Sequence, residues 1–357
     1  MAAPDPKNAL PKTIKTLPLD QQLCQIRFSS DGKTLFAGSF EATVRRWEVS
    51  GDTLTELPVL KGHNGWVQSI GVHPAKNLLY SADSWGQLRG WECTGKECKT
   101  LWSDEKAHDG WIHQLAVSID GKVLATVGRD KTVRLTDSQT GQEISRLPDH
   151  REDVLAVAFH PDGKHFLSGD LKGIVKQWSL ETKKVIREFD AKAMFLRDRI
   201  QDVGGVRCFA FDSKGETLFV GGSVPKTGGF VQGVNLLLSF NWADGKLKQT
   251  LKGTADTEGY IYELVWHPEG YLMGVSSGQP GNGKFFLQKP GEEKPFAVMP
   301  LQNCHSLTLH PDRKRVIVSS TNANSSGNGR QLGKAKEYPG NSSPLYMIEL
   351  LTLSSGK

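Results

Sequence analysis

Ten histidines are the residues of this 357-residue chain best equipped for chemistry, as metal ligands or general bases, and their spacing decides whether they act together. His63, His108 and His150 each precede a short β-rich run. His73, His160, His267 and His310 each follow such a run and are followed by proline. His165 belongs to the next run, and only His113 and His305 stand elsewhere, near the starts of runs. Repeat spacing of this kind distributes histidines through the fold instead of gathering them round one ion, so they read as scaffold. No H-E-x-x-H, G-x-S-x-G, Walker loop or paired C-x-x-C occurs. The glycine-rich stretches 221–233 and 276–284 resemble phosphate cradles in composition, but neither enters an apparent helix. The sequence therefore predicts no catalytic residue, no metal site and no cofactor.

The elements that carry these residues recur. A turn phrase returns seven times: FSSDGK at 28–33, VHPAKN at 72–77, VSIDGK at 117–122, FHPDGK at 159–164, FDSKGE at 211–216, WHPEGY at 266–271 and LHPDRK at 309–314. Its fourth residues are Asp31, Ala75, Asp120, Asp162, Lys214, Glu269 and Asp312, at intervals of 44, 45, 42, 52, 55 and 43 residues. An internal period overrides a domain count made from length. Within residues 62–102, four β-rich runs (66–72, 78–82, 87–92 and 98–102) are separated by Gly, Pro, Asn and Asp, which reads as an antiparallel meander. One four-stranded sheet with apolar side chains on both faces needs neighbours. Seven such sheets stacked radially cover one another and leave few edges.

Gly62-His63 before a first strand, and Trp47-Glu48, Trp91-Glu92 and Trp178-Ser179 at the ends of third strands, resemble the Gly-His and Trp-Asp marks of the WD-repeat family. The resemblance covers roughly residues 13–350 and implies an all-β, seven-bladed β-propeller of four-stranded antiparallel blades. It also implies a buried His, Ser or Thr, Asp and Trp that brace each blade. By position these are His63, Ser81, Asp83 and Trp91 in blade 2, and His150, Ser168, Asp170 and Trp178 in blade 4. Blade 3 offers His108, Thr126 and Asp130, with Thr136 where Trp is expected and with Asp four residues after Thr instead of two after Ser. After the third strand of blade 7 (344–350) too little chain remains for a fourth, whereas TIKTLPL at 13–19 has no partner of its own. The N-terminal segment is expected to complete blade 7. Residues 13–350 then form one propeller domain between tails at 1–12 and 351–357.

A net charge of +5, spread along the chain, neither demands a polyanion nor excludes one. No run of eighteen apolar residues spans a membrane, and the N-terminus lacks the apolar centre of a secretory signal, so the expected location is cytoplasmic. Of five cysteines, Cys93 and Cys98 flank a four-residue turn and could pair across it or stay free. A pair there, together with a removed signal, would point instead to a secreted or periplasmic protein.

In a meander of this order, the loop before each first strand and the loop joining second to third strands share one face, the top. Three swollen segments map there: 190–205, 221–233 and 320–343. The openings of the first strands add Trp66 and Gln68, Trp111 and His113, Asp153 and Leu155, Gly205 and Arg207, Tyr260 and Tyr262, and Asn303 and His305, with Trp85 joining from the inner loop of blade 2. Aromatics and arginine on one rim are the side chains enriched at binding hot spots. The resemblance implies a rim that receives peptides or protein loops. The leading reading is a non-catalytic scaffold for protein–protein interaction, a monomer by itself or a subunit of a larger complex, with no nucleic acid or membrane partner. Two alternatives stay open: an enzyme or small-ligand binder in the central channel, and an anionic-ligand or nucleic-acid binder through Arg197, Arg199, Arg207, Lys226, Arg330, Lys334 and Lys336.

Overall fold

The computed structural model of the protein describes residues 11–198, 200–226, 233–322 and 342–350. Seven four-stranded antiparallel sheets account for nearly all of them. Blade 1 comprises Leu23–Phe28, Thr34–Ser39, Thr43–Ser50 and Thr53–Lys61. Blade 2 comprises Val67–Val72, Leu78–Asp83, Leu88–Thr94 and Glu97–Asp104. Blade 3 comprises Ile112–Val117, Val123–Gly128, Val133–Asp137 and Glu143–Leu147. Blade 4 comprises Val154–Phe159, His165–Asp170, Ile174–Ser179 and Val185–Asp190. Blade 5 comprises Cys208–Phe211, Thr217–Pro225, Gly233–Asn241 and Leu247–Lys252. Blade 6 comprises Tyr260–His267, Tyr271–Ser277, Gly283–Gln288 and Ala297–Pro300. Blade 7 comprises Ser306–Leu309, Arg315–Ser319 and Leu345–Glu349, and its outer strand is Lys12–Leu17, paired antiparallel from Lys12↔Glu349 to Leu17↔Leu345.

Burial follows from position in a blade. The second strand of blade 2, LLYSAD, is buried throughout because sheets cover both its faces, whereas the outer strand Glu97–Asp104 alternates between exposed and half-buried residues. Each first strand touches the first strand of the next blade, and Ser306–Leu309 touches Leu23–Phe28, so the ring closes on itself.

The free edges of the first strands are capped from the neighbouring blade. Ile26 N–H donates to Ser306 Oγ (3.1 Å) and Phe28 N–H to Thr308 Oγ1 (3.2 Å), while Ile70 N–H donates to Gln25 Oε1 (3.0 Å). Leu115 N–H donates to Ser69 Oγ (3.0 Å) and Val157 N–H to Gln114 Oε1 (2.7 Å). Leu307 N–H donates to Glu263 Oε2 (2.8 Å). Side chains thus satisfy backbone donors that a lone sheet would leave open.

The recurrent turn phrase acts between blades as well. His160 reaches the carbonyl of Gly215 in blade 5 (2.9 Å), and His310 reaches that of Gly32 in blade 1 (3.2 Å), adding a second tie across the closure. Gly32 and Gly215 have φ of +72° and +71°, and a Cβ at either would collide with the incoming imidazole. That double demand explains the glycine in the phrase.

The swollen segments differ from the sequence expectation. Residues 190–205 are not a featureless loop: a 3-10 turn at Lys192–Met194 leads into a hairpin, Phe195–Asp198 against Gln201–Gly204, with Met194 buried in the core between blades 4 and 5. Most of the described part of 221–233 is strand, since the central strands of blade 5 extend to Pro225 and restart at Gly233. Of 320–343, residues 323–341 lie outside the described residues, and so do Arg199, Arg330, Lys334 and Lys336. Cys93 and Cys98 are bonded across their hairpin. Among the described residues no helix is long and apolar enough to cross a membrane.

Candidate functional site: the top face

The bracing residues meet as the resemblance implied in blades 2 to 4. In blade 2, Trp91 Nε1 donates to Ser81 Oγ (2.7 Å), Ser81 contacts His63 Nε2 (2.7 Å), and His63 Nδ1 contacts Asp83 Oδ2 (3.0 Å). Because the indole can only donate, the chain runs Trp N–H to Ser, Ser O–H to His Nε2, and His Nδ1–H to Asp. Blade 4 repeats it through Trp178, Ser168, His150 and Asp170 at 2.8, 2.7 and 2.9 Å.

Blade 3 keeps the same contacts from a different sequence position: His108 Nδ1 lies 2.9 Å from Asp130 and its Nε2 lies 2.8 Å from Thr126 Oγ1. Gly128 pairs with Ile112 just as Asp83 pairs with Val67, but a Cβ at Gly128 would overlap the Trp111 carbonyl. The acid is therefore supplied two residues later. Thr136, in the Trp position, leaves its hydroxyl buried and unpartnered.

Ser, His and Asp in this order resemble a hydrolytic relay, but the geometry serves another end. Ser81 and the side chains of His63 and Asp83 are fully buried, and the serine oxygen already accepts the indole N–H. A nucleophile must reach substrate, which this one cannot do. Burial also pushes the thiols of Cys24, Cys208 and Cys304 up, which removes thiolate chemistry near neutral pH.

The rim of the top face encloses an open cavity of about 510 Å³. Trp66, Gln68, Trp111, His113, Arg207, Tyr260, Tyr262 and His305 all line it, as does Leu155. Trp66 is 41% exposed, packs against Phe40 at 4.6 Å between ring centroids, and meets Trp111 edge-on at 5.6 Å. Trp111 continues to His113 at 5.9 Å. On the far side, the Arg207 guanidinium lies 4.6 Å over the Tyr260 ring, and Tyr262 stands 6.0 Å from Tyr260.

Gly205 does not line the cavity, and four further expected rim positions serve otherwise. Trp85 is 69% exposed on the top face but does not line the cavity. Asp153 sits outside it, 4.0 Å from His113 Nε2, with its pKa raised by burial. Asn303 is a buried scaffold residue whose side chain bonds Gly281 and Asn322. His305 contributes one ring edge only, since its nitrogens contact the carbonyls of Asn303 and Leu23, and burial lowers its pKa.

Sequence reasoning missed Phe40 and Leu171, which also line the cavity. Both are the first residue after a second strand, the register position of Ser84, whereas Trp85 is one residue too far. Repeat alignment of that position would have found them. It also missed the layer beneath the rim: Gln25, Ser69, Gln114, Glu263 and Ser306, which share one register on their first strands, bond from blade to neighbouring blade around the channel. Glu263 additionally pairs with Arg27 at 2.5 Å. This polar layer separates the top cavity from one of about 530 Å³ on the opposite face.

Among the described residues one cluster could offer metal ligands, His160, Asp162 and His165 at the bottom of blade 4. Repeat spacing was expected to keep the histidines apart, and here two come together. Their contacts resemble those of blade 7, where Arg315 binds Asp312 from the position of His165, so the turn is built the same way without a second imidazole. Of the basic residues proposed for anions, Arg197 pairs with Asp202 at 3.4 Å and Lys226 is exposed beside blade 5.

A family model described as "WD domain, G-beta repeat" matches residues 12–48, 54–92 and 141–179, each of which holds the outer strand of one blade and the first three strands of the next, blades 1, 2 and 4 respectively. A second, the anaphase-promoting complex subunit 4 WD40 domain, matches 89–157 across blade 3. With seven blades, the closing strand and the braces in place, the family follows. The chain is a WD-repeat β-propeller protein. Similar curated proteins include pre-mRNA-processing factor 19 of Bos taurus, 26% identical over 45% of this chain and 31% of its own length. Small ribosomal subunit protein RACK1 of Neurospora crassa is 31% identical over 47% of this chain and 51% of its own length. The WD repeat and HMG-box DNA-binding protein 1 of Xenopus laevis is 28% identical over 44% of this chain and 14% of its own length. The alignments thus span about a third to a half of the first two relatives.

Proposed function

We propose that this WD-repeat propeller is a non-catalytic interaction module whose top face binds a peptide or protein segment. The observation that carries the reading is the continuous aromatic surface of Phe40, Trp66 and Trp111 beside an open cavity of about 510 Å³. An exposed Trp held rigid by ring contacts on either side offers a large contact area at little cost in side-chain entropy. The relatives named as a pre-mRNA-processing factor and a ribosomal-subunit protein agree with a role inside larger assemblies. The polar layer around the channel and the burial of each Ser–His pair weigh against an enzyme working through the channel.

Trp66→Ala and Trp111→Ala should each weaken a partner captured by the intact chain by about 10-fold or more, with the thermal melt within a few degrees of the parent. A partner that binds both variants unchanged removes the top face from consideration.

A further inference from the structure

We infer that the segment bound on the top face presents a carboxylate, from Asp or Glu, to Arg207, with an apolar side chain nearby in its sequence lying on Trp66. The inference rests on the top-face reading above and adds the chemistry of the partner.

Three observations converge on it. First, the charges of the mouth are unequally matched. Glu263 is answered by Arg27 at 2.5 Å, and Asp202 by Arg197 at 3.4 Å. Arg207 forms no ion pair among the described residues, and its buried Nε has no hydrogen-bond partner. A half-buried guanidinium without a counter-ion is a costly arrangement that an incoming carboxylate relieves.

Second, Arg207 is held for such a ligand. Its Nη2 donates to the Gly204 carbonyl (3.0 Å), its plane rests on Tyr260, and its backbone N–H is bonded to the Gly221 carbonyl (2.9 Å). The remaining edge of the planar fork suits the two oxygens of a carboxylate.

Third, the neighbouring imidazole leaves this corner to Arg207. Burial first, then Arg207 and Arg129, pull the His113 pKa down to about 4, so the imidazole is neutral and adds no competing charge. Its Nε2 is buried without a hydrogen-bond partner, and Trp111 links this corner to Trp66 in one unbroken aromatic run.

The test uses the full chain immobilised and a positional-scanning library of nonapeptides, with the central residue fixed in turn as each amino acid and as phosphoserine. Asp or Glu at the centre should be preferred over Asn or Gln by about 10-fold, with Phe, Leu or Trp enriched within two or three positions. Arg207→Gln should abolish that preference, and Arg207→Lys, which keeps the charge but loses the fork, should retain part of it. Trp66→Ala should weaken all captured peptides without changing the acidic preference. Central Lys, Arg or apolar residues preferred instead, an acidic preference that Arg207→Gln leaves intact, or phosphoserine favoured 10-fold over Asp and Glu would each overturn the inference while leaving a top-face site standing. Capture of peptides indifferent to Trp66, Trp111 and Arg207, or of none, would overturn the top-face reading itself. Circular dichroism of each variant identifies any that fails to fold, and Arg207→Lys carries the test should Arg207→Gln do so.

Discussion

Blades 2 and 4 and blades 5 and 7 solve one packing problem in opposite ways. In blades 2 and 4 the position on the second strand that faces the third-strand aromatic is Ser81 or Ser168, tied to Trp91 or Trp178 and through His to Asp. At the same registers blades 5 and 7 carry Val220 with Phe240 and Val318 with Ile348, all buried in apolar clusters, and blade 6 carries Gly274 with Gln288. The scaffold position is filled either by a directional polar network or by plain volume. Polar networks need every partner in place, whereas apolar pairs need only fit. This difference explains why the third-strand Trp marks disappear after blade 4 while the fold does not.

The largest effect expected from testing this comparison is Trp178→Ala, which removes a fully buried ring and strands Ser168; about 3–5 kcal/mol should be lost in urea denaturation followed by near-ultraviolet circular dichroism. A loss under about 1 kcal/mol would show that the brace is ornamental to blade 4. Next come the exchanges between the two solutions. Ser168→Val leaves His150 Nε2 and Trp178 Nε1 unpartnered, and Val318→Ser buries a hydroxyl with no His or Trp to receive it; each should cost about 1–3 kcal/mol in the same assay. If either exchange is neutral, the two cores are interchangeable residue by residue, and the contrast fails.

A pH titration sharpens the comparison further. Burial opposes charge on Asp83, but the His63 hydrogen bond and the backbone N–H groups of Gln87 and Trp85 outweigh it and hold its pKa below the ordinary 3.8. Burial likewise opposes charge on Asp130, and His108, Thr132 and the Asp109 N–H outweigh it. A folded-state pKa below the unfolded one stabilises the fold at pH above the unfolded value, and the contribution is lost as pH falls through the folded value. Stability should therefore decline from about pH 4 downward, and hydrogen exchange at pH 3 should rise in blades 2 and 3 before blades 6 and 7. Asp83→Asn with Asp130→Asn should flatten that decline, and uniform exchange across all blades would count against the assignment. The smallest effect belongs to Trp85→Ala. Its side chain is 69% exposed and outside the cavity, so stability should change by no more than about 0.5 kcal/mol and peptide capture not at all.

Much of this was legible beforehand because it is local. The His63 to Asp83 brace spans 20 residues, and the turn phrase spans six, so spacing exposes both. The closing strand was legible by subtraction, since blade 7 lacked a fourth run and residues 13–19 lacked a partner. Phe40 was missed because it differs in type from the residues at its register in other blades, and the Phe195–Gly204 hairpin because its runs of four residues are shorter than the periodicity that marks a strand.

The sequence by itself determined the period, the number of blades and which of them carry polar braces, because each of these depends on contacts within one repeat. Only the tertiary structure decided the mouth. Gln25, Gln114, Arg207, Glu263 and Ser306 come from five blades, and nothing in any one repeat states that Arg27 will neutralise Glu263 while Arg207 is left without a counter-ion. That imbalance arises when the ring closes and brings residues more than two hundred positions apart into one ion pair.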